Sequence, residues 1–500
     1  MVGFLVFLGS FAFADTDHRV DLKLSELVKP NGARALPAKF LDVELGKISQ
    51  DSARFSPSVV ISRSFVEAKS QEWEACHQKQ ARYGLFQQED DQHIWKRFFE
   101  FGQENLASTL EEMEQRKLRK AKLTETPWSG DFWPIANGIL GARYFTDLFT
   151  NLKTWLERFE FVQQHSVATI LEKNGQTGID ALSPAEKYDL LVGDEKNGFA
   201  RAQWAEGQRY HDETGKVEEW MGICHGWAPA SFMEPRPLHL VEATAKGASW
   251  KLKLYPSEIK GLLSYSWAYN QYPNKSVGHR CNTKDPKLDE NGRLLEPECL
   301  DINPATWHKL VVNHIGVFQR SVIMDATYDY EVWNQPIWAY SYSYFNPQTN
   351  RSTVSLEKAK VKREDFPTDR FAKHRSPKAK TLVGIVMRVG YTIEVRANDR
   401  PTNGPEYDHV RWVEYFYDLE LDDENQLVGG EWYQTAHPDF LWSPVWNAKP
   451  TSPLDKTVEK FAWTGDEIPN EWSYAAKLSS PYGIVLDTIT KALVERASTP

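Results

Sequence analysis

Cysteine is scarce in this chain: four residues in 500, namely Cys76, Cys224, Cys281 and Cys299. So few exclude a disulfide-dense scaffold. They show no paired CxxC spacing, which excludes the usual structural zinc site. A basic surplus is missing as well. Lys plus Arg is 59 against 69 for Asp plus Glu, a net charge of −10. That argues against a nucleic-acid partner, which needs a basic footprint. Beyond the first residues no segment offers the roughly 18 uncharged apolar residues of a membrane span, so no transmembrane segment is expected. Aromatic side chains are what the chain has in quantity: 25 Phe, 20 Tyr and 19 Trp. That supply of rings marks a folded chain with a large core, not a disordered one.

The chain opens MVGFLVFLGSFAFAD. The apolar run ends in Ala12-Phe13-Ala14, an A-x-A cleavage pattern, although the basic n-region is missing. Residues 1–14 are read as a signal peptide, and the protein as secreted, periplasmic or extracellular. Residues 15–60 show no long period and read as a leader or linker. Residues 61–126 read as a helical segment or pro-region, because Trp95, Phe98, Phe99, Phe101 and Leu106 recur at helical spacing. It ends in the basic run Arg116 to Lys120, a solvated face or a processing site. Residues 127–450 are expected to form the catalytic domain, and 451–500 a C-terminal extension. The spacing predicts a helix from about Ala142 to Lys173 and another opened by Ser183-Pro184-Ala185-Glu186, an N-cap signature. Trp250 to Tyr255 reads as a strand and Pro256 to Trp267 as a helix. Strands are expected over Leu310–Val317, Ser321–Ala326, Leu382–Val395, Val410–Leu421 and Gly430–Tyr433.

The segment Trp220 to Ala230, WMGICHGWAPA, carries the candidate chemistry. Gly222 leads into Cys224, and a helix-compatible stretch follows. A Cys at a helix start feels the positive end of the macrodipole, which favours the nucleophilic thiolate. The first helical amides can also serve an oxyanion. A buried structural thiol would read the same from this window alone. A nucleophilic Cys needs a base and a group to orient it. Two β-rich runs place His308 and Asp325 at opposite ends of an expected hairpin. His308 is therefore the expected base and Asp325 its partner. His314, closer to Asp325 in sequence, is the alternative base. Cys, His and Asp occur in the order that papain-like enzymes use.

Several segments in order resemble the transglutaminase-elicitor family of oomycetes and its bacterial homologues. They are Pro127 to Pro134 (PWSGDFWP), Trp220 to Ala230 with Glu234 to Pro237, and Arg280-Cys281-Asn282. Cys299 to Pro304, Asp325 to Pro336 (DATYDYEVWNQP) and Gly429 to Trp442 (GGEWYQTAHPDFLW) follow. Val332 to Pro336 matches the start of the elicitor peptide, but Ile337-Trp338-Ala339 then departs from it, so plant recognition is not carried over. The resemblance implies an α+β fold with a papain-like or transglutaminase-like core, in which a helix carrying the Cys packs on an antiparallel sheet. An N-terminal helical segment and further β structure would be added to it. It implies acyl transfer: Cys224 attacks a protein glutamine, ammonia leaves, and a lysine amine takes the acyl group from the thioester. Trp333, Asn334 and Trp227 are expected at the substrate site. The partners would be proteins with accessible Gln and Lys. A cysteine peptidase or amidase, or a non-catalytic aromatic-rich binding protein, are the competing functions.

Cys281 and Cys299 bracket a short loop, and a disulfide there would stabilise by about 3 kcal/mol. Cys76 is then either free or paired with Cys224 as a mask. The chemistry requires no cofactor and no metal ligand set is identified. The acidic loops at Asp285 to Asn291 and Asp422 to Asn425 offer hard oxygen ligands of the kind calcium takes, but neither has an EF-hand spacing.

Overall fold

A computed structural model describes residues 94–283, 286–291, 293–296, 299, 302–327, 330–434 and 436–498. The expected signal peptide, the leader, most of the N-terminal helical segment and Cys76 lie outside the described residues.

In chain order the strands are β1 (Lys120–Lys122), β2 (Val241–Thr244), β3 (Lys251–Leu254), β4 (Asn274–Gly278), β5 (Val322–Asp325), β6 (Asn334–Asn346), β7 (Arg351–Thr353), β8 (Lys360–Lys362), β9 (Thr381–Thr392), β10 (Val410–Leu421), β11 (Leu427–Gly429) and β12 (Phe440–Pro444). β2 and β3 form a separate hairpin. The others form one sheet in the order β11-β10-β9-β6-β5-β12-β4, with β1 and β7 also on β6 and β8 on β9. Its pairings are antiparallel. The longer helices are α1 (Leu110–Gln115), α2 (Trp155–Gln164), α3 (Val167–Asn174), α4 (Pro184–Val192), α5 (Gly198–Thr214), α6 (Cys224–Met233), α7 (Pro256–Tyr269), α8 (Pro304–Val311), α9 (Asn470–Ser479) and α10 (Asp487–Ser498). The fold is thus mixed helix and antiparallel sheet.

Local side-chain chemistry explains where helices begin. Ser183 accepts from the Glu186 amide while Glu186 reaches back to the Ser183 amide, so α4 starts with the expected capping box. The helix expected over 142–173 is instead divided. Thr146, Thr154 and Ser166 each accept a backbone N–H, and each starts a new helix. The strand expected over Leu310–Val317 is helical: α8 runs into a π-helical turn over Val312–Val317. Asn303 caps the Ala305 amide and Pro304 occupies the first turn. Those start signals outweigh the β-branched residues that follow. The hairpin that was to join His308 and Asp325 therefore does not form. Within the segment expected to be helical over 61–126, α1 ends at Gln115, and the basic run turns at Lys117 (φ 58°) into β1.

Two cores flank the sheet's middle strands. A helical core gathers residues of α2 and of α4 to α7, together with Trp472, Ile489 and Leu493 from α9 and α10. A sheet core gathers Trp95, Phe98, Phe99, α8 and the inner faces of β6, β9 and β10. Strand alternation divides β5 and β12 between them. Ile323 and Trp442 enter the helical core, while Met324 and Leu441 enter the sheet core. Residues 451–498, expected as an extension, thus complete the core that holds Cys224. The Leu238 and His239 amides both donate to the Ala497 carbonyl, and Ser498 Oγ donates to the Arg236 carbonyl.

Candidate active site around Cys224

Cys224 is the first residue of α6 and carries a free thiol. Its N-cap, Ile223, supplies no side-chain acceptor, while its carbonyl accepts the Gly226 and Trp227 amides. Gly226, two residues on, lets α6 lie close to α7: a Cβ there would stand 2.0 Å from the Ser264 carbonyl oxygen. The position of the thiol therefore depends on the α6–α7 contact.

The thiol donates to the Val332 carbonyl at 3.6 Å and accepts from Asn334 Nδ2 at 3.4 Å. Asn334 is itself fixed, because its Oδ1 accepts the Trp442 indole N–H at 2.7 Å. Burial pushes the Cys224 thiol up to about 12, the Glu394 carboxylate adds to the rise, and the Asn334 hydrogen bonds oppose it. At neutral pH the resting group is a thiol, despite the helix dipole. Nucleophilic attack from it needs a proton acceptor.

Asp325 ends β5 directly opposite Asn334. Its Oδ1 accepts the Trp333 amide at 2.9 Å and lies 2.8 Å from Thr327 Oγ1. Oδ2 is buried without a hydrogen-bond partner. Burial raises this carboxyl to about 7, and its charge also acts on Cys224. Thr327 Oγ1 lies 2.6 Å from the Glu331 carbonyl, which closes the neck of the β5–β6 connection. Trp333 stacks on Phe132 with centroids 5.8 Å apart.

The structure brings together Cys224, Asn334 and Asp325 of the expected site residues. It does not bring the histidines there. His308 projects from α8, where its Nδ1 is 2.8 Å from Tyr417 Oη and its ring meets Tyr342 edge-on. His314 packs between Phe98 and Phe99. Burial lowers both to about 3. Neither imidazole hydrogen-bonds to Cys224 or Asp325. Both are packed among sheet-core residues, while Cys224 belongs to the helical core. The reason is the α-helix over 304–311 with its π-helical continuation over 312–317, which turns these side chains away from a strand position. Trp227 is fully buried: its Nε1 donates to the Trp128 carbonyl at 3.1 Å and its ring lies against Gly130. It supports the 128–132 loop from below.

Trp442 closes one of the segments that carry the family resemblance, whereas sequence reasoning missed a set of buried ionisable groups. Glu394 follows β9, and both its carboxylate oxygens are buried without a hydrogen-bond partner. Its one sequence signal was an acid inside the run Tyr391-Thr392-Ile393-Glu394-Val395. Asp131 accepts from Ser257 Oγ at 2.5 Å, and burial raises it to about 7 against the pull of Lys260. Lys260 Nζ donates to the Ser129 carbonyl and to Asn403 Oδ1.

Cys281 and Cys299 form the expected disulfide. Next to it, Arg280 donates to the Tyr330 carbonyl. The acidic loops spend their carboxylates locally. Asp289 accepts the Asn291 and Arg293 amides and faces Lys373 and His374, and Asp422 accepts the Glu424 and Gln426 amides. Among the described residues no group of three or more His, Cys, Asp or Glu is arranged to hold a metal ion. No described helix is long and apolar enough to cross a membrane.

A buried thiol at a helix start, beside an antiparallel sheet and an Asn–Trp pair, defines an α+β protein with a candidate cysteine nucleophile. The chain belongs to the transglutaminase elicitor family, whose model matches residues 93–463. It is similar to the solved structure of the GP42 transglutaminase from Phytophthora sojae, with 20% sequence identity and a TM-score of 0.46, over 75% of this chain and 94% of that one. No curated protein matches it significantly.

Proposed function

We propose that the protein is an extracellular protein-glutamine γ-glutamyltransferase with Cys224 as nucleophile. The observation that carries this reading is the free Cys224 thiol at the start of α6, hydrogen-bonded to an Asn334 that Trp442 holds. Membership of the family supports it. The sulfur attacks the γ-carboxamide carbon of a protein glutamine, and the thiol proton leaves with the amide nitrogen as ammonia. A lysine amine then attacks the thioester, forming the isopeptide bond and returning the proton to sulfur. Backbone amides at the head of α6 stabilise the oxyanion. Asp325 holds the Trp333 amide and so shapes the wall beside the thiol. Trp333 and Phe132 shield the thioester from water. In the arrangement described, His308 stays bonded to Tyr417 and supplies no base to Cys224. No cofactor enters the chemistry, and any calcium effect would act on structure.

Incubating the protein with casein and a fluorescent primary amine tests the reading, with and without calcium and reductant, beside Cys224→Ala. Amine incorporation that depends on Cys224 supports it. Glutamine hydrolysis without incorporation would make the protein an amidase instead, and the absence of both would refute a catalytic role.

A further inference from the structure

We propose that Asn334 is a catalytic residue, the side-chain half of an oxyanion hole: its Nδ2 donates to the carboxamide oxygen of the glutamine as Cys224 attacks. The sulfur–carbon bond forms while the carbonyl π pair moves onto that oxygen. The pair returns as the C–N bond breaks, and the nitrogen leaves as ammonia with the thiol proton. The substrate rests on the transferase reading; the aim of the donor at the sulfur does not.

Asn334 Nδ2 touches the nucleophile, donating to Cys224 Sγ at 3.4 Å. The far end of the same amide fixes its direction. Oδ1 accepts the Trp442 indole N–H at 2.7 Å. An indole N–H only donates, so the amide oxygen must face Trp442 and the amide nitrogen must face the sulfur. That nitrogen carries two hydrogens. One meets the sulfur at rest, and an oxygen on the carbon that sulfur attacks comes within reach of the same group. The Asn334 hydrogen bonds already oppose the rise that burial imposes on the thiol, so this donor acts on the reacting atom.

Three neighbouring strands hold the donor in place. Asn334 begins β6 opposite Asp325 on β5, and Trp442 on β12 pairs with Ile323 on β5. Both Asn334 and Trp442 are buried. The donor is thus positioned before substrate arrives, which is what lets it lower a barrier without first being reorganised. The head of α6 supplies a second donor. The Ile223 carbonyl takes the Gly226 and Trp227 amides, and the Cys224 amide precedes both. At the first helical position an amide has no acceptor within its own helix. A side-chain amide and the backbone amide of Cys224 itself therefore border the attacking sulfur.

The test compares two reactions of the same sulfur. Iodoacetamide alkylates it by displacement at a saturated carbon, with no oxyanion. p-Nitrophenyl acetate acylates it through a tetrahedral oxyanion. Both rates are read by mass on the Cys224 peptide, and their ratio cancels the thiolate fraction. An Asn334 that only packs, or only favours the thiolate, would slow both reactions alike. Asn334→Ala should instead lower the ratio of acylation to alkylation about 10²-fold, the usual cost of one oxyanion donor. Trp442→Phe keeps the donor but releases its far end, so the ratio should fall less. The double variant strands neither buried partner and carries the test if Asn334→Ala does not fold; its ratio should stay as low as that of Asn334→Ala. In amine incorporation, Asn334→Ala should lower kcat about 10²-fold with KM nearly unchanged. An unchanged ratio in Asn334→Ala would overturn the proposal. So would a ratio that recovers in the double variant, or a wild-type Cys224 that is alkylated but never acylated. An Asn334-dependent ratio without any amine incorporation would sink the transferase reading and leave the Asn334 proposal standing. Cys224-dependent incorporation with an unchanged ratio in Asn334→Ala would do the reverse.

Discussion

Replacing Asn334 with Ala removes two hydrogen bonds at once. The Trp442 indole N–H loses the acceptor that now lies 2.7 Å away, and the Cys224 sulfur loses a donor at 3.4 Å. Asn334 and Trp442 are only 4% and 9% exposed, so water does not readily replace either partner. A buried donor left without an acceptor costs about 1–3 kcal/mol, and the longer contact to sulfur adds about 0.5 kcal/mol. Asn334→Ala should therefore lower unfolding stability by about 2–3 kcal/mol. Trp442→Phe should cost a comparable amount, because it strands Asn334 Oδ1 instead. The double variant strands neither, so its loss should fall short of the sum by about 1–2 kcal/mol. Urea unfolding at pH 7 measures all three. Losses that add within about 0.5 kcal/mol would mean that the pair is not coupled as described. The same variants separate the two bonds. Asn334→Ala should slow Cys224 alkylation at fixed pH, since a donor that favours the thiolate is gone. Trp442→Phe keeps that donor and should slow it less. An unchanged rate in Asn334→Ala would refute the Asn334–sulfur contact.

Gly226→Ala should cost about 3 kcal/mol or more and lower the melting midpoint, because its Cβ would collide with the Ser264 carbonyl at 2.0 Å; an unmoved midpoint would refute the close α6–α7 crossing. His314 titrates near 3 in the fold against an ordinary 6.5, so its contribution is present above pH 6.5 and is lost as the pH falls toward 3. Between pH 7 and pH 5 that loss is about 2 kcal/mol, and His314→Phe should abolish it; urea midpoints of both proteins at the two pH values, falling equally, would contradict this. Replacing Cys281 and Cys299 together by Ser should cost about 3 kcal/mol, seen as a drop in thermal midpoint in non-reducing buffer that reductant removes from the wild type alone.

Features with strong local causes were legible in the sequence. The Ser183 capping box, the β10 run from Val410 to Leu421, the turn at Asp422 to Asn425 and the Cys281–Cys299 bridge all appear at their expected places. Features that depend on tertiary context were not. β6 is the central strand, yet it contains Pro336 and alternates Tyr with Ser, a pattern that does not read as a buried strand. Its Tyr340, Tyr342 and Tyr344 are buried because β9 and the sheet core cover them. The strand expected over Gly430–Tyr433 lies a few residues earlier, as β11, while Trp432 bridges Tyr417. At the site, Cys224 was recognisable by its glycine-flanked setting. Asn334 lay in the motif that carried the family resemblance. His308 was misplaced because Val311 and Val312 suggested a strand where Asn303 and Pro304 start a helix.

The stitching of α10 to the exit of the cysteine helix has a consequence for synthesis. A ribosome releases Cys224 long before it releases residues 487–498. In that interval the core beneath α7 lacks Ile489, Leu493 and Val494, and nothing receives the Leu238 and His239 amides. Arrival of the last helix closes it. The core around this thiol is thus completed only once residues 487–498 have been made.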